Sequence, residues 1–144
     1  MTINGGFKRV LIPLLGAAVL AGCSRTSTLT KEEARSQGRS ALSLAAEIEM
    51  FIDYVRQGQG TRRYIEGEAS YLQEAVRDSR KELHKAVPEP GTENSLQTFM
   101  TQLDFLDHEL SLIPVEMGNT AALAAAKERI AKSRETLEKG NSAL

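Results

Sequence analysis

The stretch from Leu96 to Ile113 reads LQTFMTQLDFLDHELSLI and decides the fold class. Its large apolar residues recur at alternating spacings of three and four, which is the period of one helical face and not of a strand. They are Leu96, Phe99, Leu103, Leu106, Leu110 and Ile113, with Met100 alongside. A helix with such a stripe is stable only when other elements cover it, so we predict an all-α domain.

Three other segments show the same helical period. We expect the first helix to begin after Thr30, because Thr30 and Glu33 fit a capping box in which each side chain satisfies a backbone N–H of the other residue. Its apolar face continues to Val55. Gly58 and Gly60 follow and are expected to end it.

Proline, glycine and capping residues set the remaining helix boundaries. Proline lacks a backbone N–H and disfavours helix in the residue before it, whereas glycine commonly terminates helices. Asparagine and threonine favour the N-cap position. We therefore expect a second helix at about Thr61–Ala86, a third from Thr92 or Glu93 to a close at Pro114 and Gly118, and a fourth from Asn119 or Thr120 to Lys139 with Gly140 as its stop.

Four helices joined by short turns predict an antiparallel four-helix bundle or two packed helical hairpins. The chain has no tryptophan and only 5% aromatic residues, a composition that disfavours sheets. Leu123, Ile130 and Leu137 recur every seven positions, a spacing that would also serve an intermolecular coiled coil. Self-association therefore stays open as an alternative.

The N-terminal segment has the layout of a secretory signal, with Lys8 and Arg9 before an uncharged apolar run. The motif Leu20-Ala-Gly-Cys23 that follows resembles the lipobox of bacterial lipoproteins. The resemblance implies that the sulfur of Cys23, the only cysteine, receives a diacylglyceryl group and that cleavage then leaves Cys23 at the N-terminus. An ordinary secretory signal cut near Ala21 is the alternative. A membrane span is not expected, because a span needs about 20 apolar residues.

This resemblance implies a signal peptide at residues 1–22 and a lipidated N-terminus and tether at 23–30, and the helical periodicity predicts a helical domain at 31–144. It also implies a bacterial cell envelope protein held on its membrane by a lipid anchor. Lipoproteins without acidic residues after the cysteine are usually exported to the outer membrane, and Ser24 and Arg25 follow here. We therefore expect the outer membrane, facing the periplasm, rather than the inner membrane.

The charge balance gives no indication of a nucleic-acid partner. The chain has 18 basic and 19 acidic residues, and two of the basic residues belong to the predicted signal peptide. The mature chain is therefore slightly acidic, whereas nucleic-acid binding requires a basic surface.

Asp104 and His108 are the two residues whose spacing most resembles that of metal ligands. Four residues apart on a helix, they share one side, as neighbouring metal ligands do. The stripe around Leu103 and Leu106 nevertheless places them on the flank, and the Glu-x-x-His pattern of di-iron bundles is absent from the sequence. We predict a solvated histidine, no metal site and no other cofactor.

The second helix carries mixed charge. Its cations Arg77, Arg80, Lys81 and Lys85 alternate with Glu74, Asp78 and Glu82. Acids and bases at these spacings pair along a helix, so we predict a solvated face rather than an anion site. Arg62 and Arg63 oppose the helix dipole at the start of this helix and are better candidates for partner contacts.

Three tyrosines lie near the first predicted hairpin. Tyr64 and Tyr71 are seven apart and share a helix face, while Tyr54 precedes the turn. The usual place for such residues is the margin of a bundle core, and an exposed interface is the alternative. Several carboxylates lie nearby without indicating a pocket: Glu47, Glu49, Glu66 and Glu68.

No arrangement of nucleophile and base is recognisable, and the sequence has no Gly-rich phosphate loop. We therefore predict no enzyme but a non-catalytic helical module, anchored through Cys23, that binds another envelope protein. A self-associating scaffold or spacer is the first alternative. A carrier of a metal or small ligand within the bundle core is the second.

Overall fold

The structure is a computed structural model that describes residues 28–144. It consists of four helices: α1, Lys31–Arg56; α2, Arg62–Lys85; α3, Glu93–Glu116; and α4, Thr120–Ser142. α1 packs mainly on α4 and α2 on α3, α3 also packs closely on α4, and α1 and α2 pack less closely on each other. The predicted all-α helical bundle is confirmed. Within the described part of the chain, no helix combines the length and apolarity needed to cross a membrane.

The predicted capping residues of the first and fourth helices are confirmed at Thr30 and Asn119, and Thr61 caps the second helix in the same way. Thr30, Thr61 and Asn119 each accept a hydrogen bond from the backbone N–H three residues later. At Thr30 the capping box is complete, because its own backbone N–H donates to Glu33 Oε2 at 2.8 Å. The backbone and hydroxyl hydrogen bonds from Thr30 hold the pKa of Glu33 below its usual range.

The predicted stop of α4 at Gly140 is wrong, because the helix continues past it. A Cβ at Gly140 would lie 3.1 Å from Phe99 Cε1, and Ser95 Oγ donates to the Gly140 carbonyl at 2.9 Å. The missing side chain thus lets α3 and α4 approach each other, instead of ending a helix. Pro114 also does not end its helix by itself, because it lies inside α3, two residues before the last helical residue Glu116.

The predicted stripes form the core. Every apolar residue of the α3 stripe is buried, and Leu103 at its middle is fully inaccessible to solvent. Leu123, Ile130 and Leu137 of α4 are also fully buried within this one chain. The seven-residue recurrence therefore packs inside the bundle.

A short parallel pairing fastens the start of the described chain to the loop between α2 and α3. β1, Thr28–Leu29, pairs with β2, Val87–Pro88. The Glu89 backbone N–H donates to the Leu29 carbonyl at 3.1 Å, and its carboxylate accepts from the Lys31 N–H at 2.8 Å. The last residues of the predicted tether are therefore bonded to one end of the bundle.

Candidate functional site

The turn between α1 and α2 brings two tyrosines together. Gly58 and Gly60 have φ angles of 71° and 83°, in the left-handed region that favours glycine. A Cβ at Gly60 would lie 2.9 Å from Tyr54 Cε1, so the turn passes directly against that ring. Tyr54 and Tyr64 consequently meet with ring centroids 5.5 Å apart and ring planes inclined at 58°. This geometry is within the range of attractive aromatic pairs.

A groove of about 280 Å³ opens beside this pair, and we call it the tyrosine groove. Its lining residues are Glu47, Met50, Phe51 and Tyr54 of α1 and Tyr64 and Glu68 of α2. Phe51 belongs to the buried core and forms the base, whereas Met50 is 72% exposed and Tyr64 is 49% exposed. The groove is therefore an apolar surface open to solvent.

Tyr71 extends this surface along α2. It lies seven residues after Tyr64, on the same helix face, and is 63% exposed. Three of the five large hydrophobic residues exposed in the described chain are thus Met50, Tyr64 and Tyr71. The tyrosines of α2 are surface residues and not part of the core margin, and exposed aromatic and methionine side chains grouped in this way are typical of interfaces.

The two carboxylates of the groove differ from the acids around them. The neighbouring acids have basic partners at salt-bridge distance: Glu49 with Arg134, Asp53 with Arg56 and Lys127, and Glu66 with Arg62. Glu47 and Glu68 have no such partner among residues 28–144. The groove thus keeps uncompensated negative charge next to aromatic rings.

In the second half of α2, two of the three paired cations reach acids of the neighbouring helix α3. The pairs are Arg77 with Asp107, Arg80 with Asp104 and Lys85 with Glu82. The pair of Lys85 with Glu82 agrees with the predicted pairing along α2. The other two pairs form because the close packing of α2 on α3 places two aspartates beside the arginines. Arg77 Nε lies 3.0 Å from its aspartate oxygen.

Asp104 and His108, the residues considered for a metal, are both exposed on α3, and Asp104 is occupied by Arg80. No group of three or more histidine, cysteine, aspartate or glutamate side chains in residues 28–144 is arranged to hold a metal ion. The predicted lipidation residue Cys23 lies outside the described residues, together with the remainder of the signal and tether at 1–27.

Sequence reasoning missed an ion pair between the buried Glu109 of α3 and the exposed Arg129 of α4. Glu109 is only 3% exposed, and both its oxygens accept hydrogen bonds from Arg129, from Nε at 2.9 Å and from Nη2 at 2.7 Å. These hydrogen bonds raise the pKa of the Arg129 guanidinium. No local spacing rule connects residues on two different helices, so the sequence alone gave no signal for this pair.

A second groove of about 370 Å³ runs between α3 and α4 beside this ion pair. Arg129 lines it, but Glu109 neutralises that charge. Its large apolar residue, Phe105, is only partly exposed, and the remaining residues are small or polar. The tyrosine groove is the better candidate site, because strongly exposed aromatic and methionine side chains lie at it, whereas Phe105 is only partly exposed.

Comparison of the chain with protein-family models, with curated proteins and with solved structures found no match. Function is therefore inferred from the tyrosine groove and from the motif ending at Cys23.

Proposed function

We propose that this chain is a bacterial envelope lipoprotein, anchored through an acylated Cys23, that binds another envelope protein without catalysing a reaction. The observation that carries the binding role is the tyrosine groove, an exposed apolar surface on an otherwise well-packed bundle. The anchor is supported by the lipobox-like motif, whose small residues suit a signal peptidase and whose thiol suits acyl transfer.

The composition of the groove supports protein binding. Tyrosine combines a large contact area with a polar tip and few rotatable bonds, so ordering it on binding costs little entropy. Methionine adapts its flexible, polarisable side chain to the shape of a partner. Met50, Tyr64 and Tyr71 provide both properties on one side of the bundle.

The self-associating scaffold has less support. The heptad-like residues of α4 that would build an intermolecular coiled coil are buried against the chain's own helices. A second copy would have to use another surface. Three of the five large hydrophobic residues exposed in residues 28–144 lie at or beside the tyrosine groove, so the two hypotheses compete for the same region.

Replacing the predicted lipidation residue tests the anchor. We expect Cys23→Ser to abolish labelling by radioactive palmitate and to leave either an unprocessed precursor or a soluble secreted form, because serine offers no thiol. Each buried methylene contributes about 0.8 kcal/mol, so several acyl chains hold a protein firmly on its membrane. Ser24→Ala is the matched control and should stay labelled in the outer-membrane fraction. Acyl label persisting on Cys23→Ser would contradict the anchor, and recovery of the wild type only in inner membrane would contradict the sorting.

Photocrosslinking in intact cells tests the binding role. Benzoylphenylalanine at position 71 should give a covalent adduct with a second protein, because Tyr71 extends from the groove into solvent. The same residue at Glu128, exposed on α4, is the control and should give none. An adduct between two copies of this chain would favour the scaffold, and equal adducts at both positions would contradict a specific groove.

A further inference from the structure

The tyrosine groove imposes a charge requirement on whatever covers it. Glu47 of α1 and Glu68 of α2 both line it, together with its apolar side chains. A partner that covered Met50 and Tyr64 with apolar or acidic groups would remove water from both carboxylates without replacing it. Burying an unpaired charge is strongly unfavourable, so such a partner would be rejected.

We propose that the tyrosine groove receives a lysine or arginine side chain of the partner protein. This inference rests on the proposed binding function and adds the chemistry of recognition. A single cation between Glu47 and Glu68 offsets the charge that the bundle itself leaves unpaired. Glu49, Asp53 and Glu66, the acids close to the groove on the same two helices, have basic partners within residues 28–144, whereas Glu47 and Glu68 do not.

The apolar walls of the tyrosine groove suit the aliphatic part of a lysine or arginine side chain. Lysine and arginine carry aliphatic stems that cover apolar surface while their charged ends stay in a polar environment. The stem would lie over Met50, and the charged end would reach the carboxylates next to the Tyr54 and Tyr64 rings. Cations are attracted to the faces of aromatic rings within about 6 Å of the centroid, which adds to the attraction by the carboxylates.

The shape of the surface favours a protein segment over a free amine. Tyr71 lies about 10 Å beyond Tyr64 along α2, because a helix rises 1.5 Å per residue. A small amine held at Glu68 would leave this exposed ring uncovered. A segment of a partner protein can place a basic side chain in the groove and cover Tyr71 with a neighbouring residue.

Tyrosine NMR signals give a direct test, since the chain contains three tyrosines. The full chain, labelled with ¹³C-tyrosine and held in nonionic detergent, is titrated with Nα-acetyl-lysine N-methylamide. The norleucine analogue keeps the aliphatic stem without the charge. We expect saturable shifts of the Tyr54 and Tyr64 ring signals with the lysine probe, and binding of the norleucine probe weaker by roughly tenfold.

Charge-matched variants separate the groove from the overall charge. Glu47→Gln with Glu68→Gln should lose the lysine-induced shifts, whereas Glu74→Gln with Asp78→Asn removes two exposed acids of α2 outside the groove and should keep them. Unchanged methyl signals of buried leucines show that each variant is folded. Equal shifts from both probes, or lysine shifts that survive in the Glu47 and Glu68 double variant, would overturn the proposal.

The crosslink from position 71 distinguishes this inference from the binding function itself. In the Glu47→Gln, Glu68→Gln background the adduct should fall several-fold, and the partner peptide captured by the wild type should contain lysine or arginine. An undiminished adduct would leave the proposed binding function in place but would contradict the proposal that the groove receives a basic side chain. Lysine-induced shifts without an adduct would contradict a partner protein as the source of the cation and would favour a small amine.

Discussion

Leu103→Ala is expected to lower the free energy of unfolding by about 2–5 kcal/mol. Leu103 is fully buried at the middle of α3, the helix that packs on both α2 and α4. The substitution removes apolar contact and leaves a cavity that rigid neighbours fill only in part. A domain of this size has about 5–15 kcal/mol in total. Denaturant unfolding of the chain without its signal and anchor, followed by circular dichroism, measures the change.

Asp104→Ala is the neighbouring control. Asp104 pairs with Arg80, but both side chains are about half exposed, and exposed pairs contribute about 0–1 kcal/mol. A small effect at both positions would show that Leu103 is not in a closed core and that its stripe is available to a partner. A large effect at Asp104 alone would show that this carboxylate is buried and would restore the metal hypothesis.

Arg129→Met should lower the free energy of unfolding by about 1–3 kcal/mol, since it leaves the Glu109 carboxylate buried without a cation. Solvent reduces the loss below that of a fully buried pair, because the Arg129 side chain is 42% exposed. The same replacement at Arg77 is the matched control. Arg77 is 61% exposed and its partner Asp107 is 29% exposed, and Gln73 also donates to that carboxylate, so we expect about 1 kcal/mol or less. The same unfolding experiment measures both.

A double variant tests the cause of this loss. Glu109→Leu in the Arg129→Met background removes the unpaired charge, so stability should return to near that of the wild type or exceed it. Two outcomes would contradict this account. The first is an equal loss of stability in Arg129→Met and Arg77→Met, which would mean that water reaches Glu109. The second is a double variant that is no more stable than Arg129→Met.

The features that the sequence predicted are local ones. The caps at Thr30 and Asn119 depend on residues within one helical turn, and the α3 stripe depends on the period of a single helix. Such patterns can be recognised in the sequence because the interactions that determine them involve residues only a few positions apart. The all-α class and the four helices therefore followed from the sequence.

The features that it missed depend on contacts between helices. From its neighbours in the sequence, Gly140 is predicted to end α4. Only the close approach of Phe99 from α3 explains why this position is a glycine. Glu109 meets Arg129 across two helices. The tyrosine groove needs the left-handed turn at Gly60 to place Tyr54 and Tyr64 together, so no spacing along the sequence could reveal it.

The pairing of β1 with β2 has a consequence for how the proposed lipoprotein stands on its membrane. Five residue steps connect Cys23 to Thr28 and span at most about 18 Å, so an anchor at Cys23 keeps that end of the bundle near the bilayer. Glu47 and Tyr54 lie about 24 and 35 Å farther along α1, at 1.5 Å per residue. The tyrosine groove therefore lies toward the end of the bundle opposite β1, so the proposed anchor would leave it clear of the tethered end.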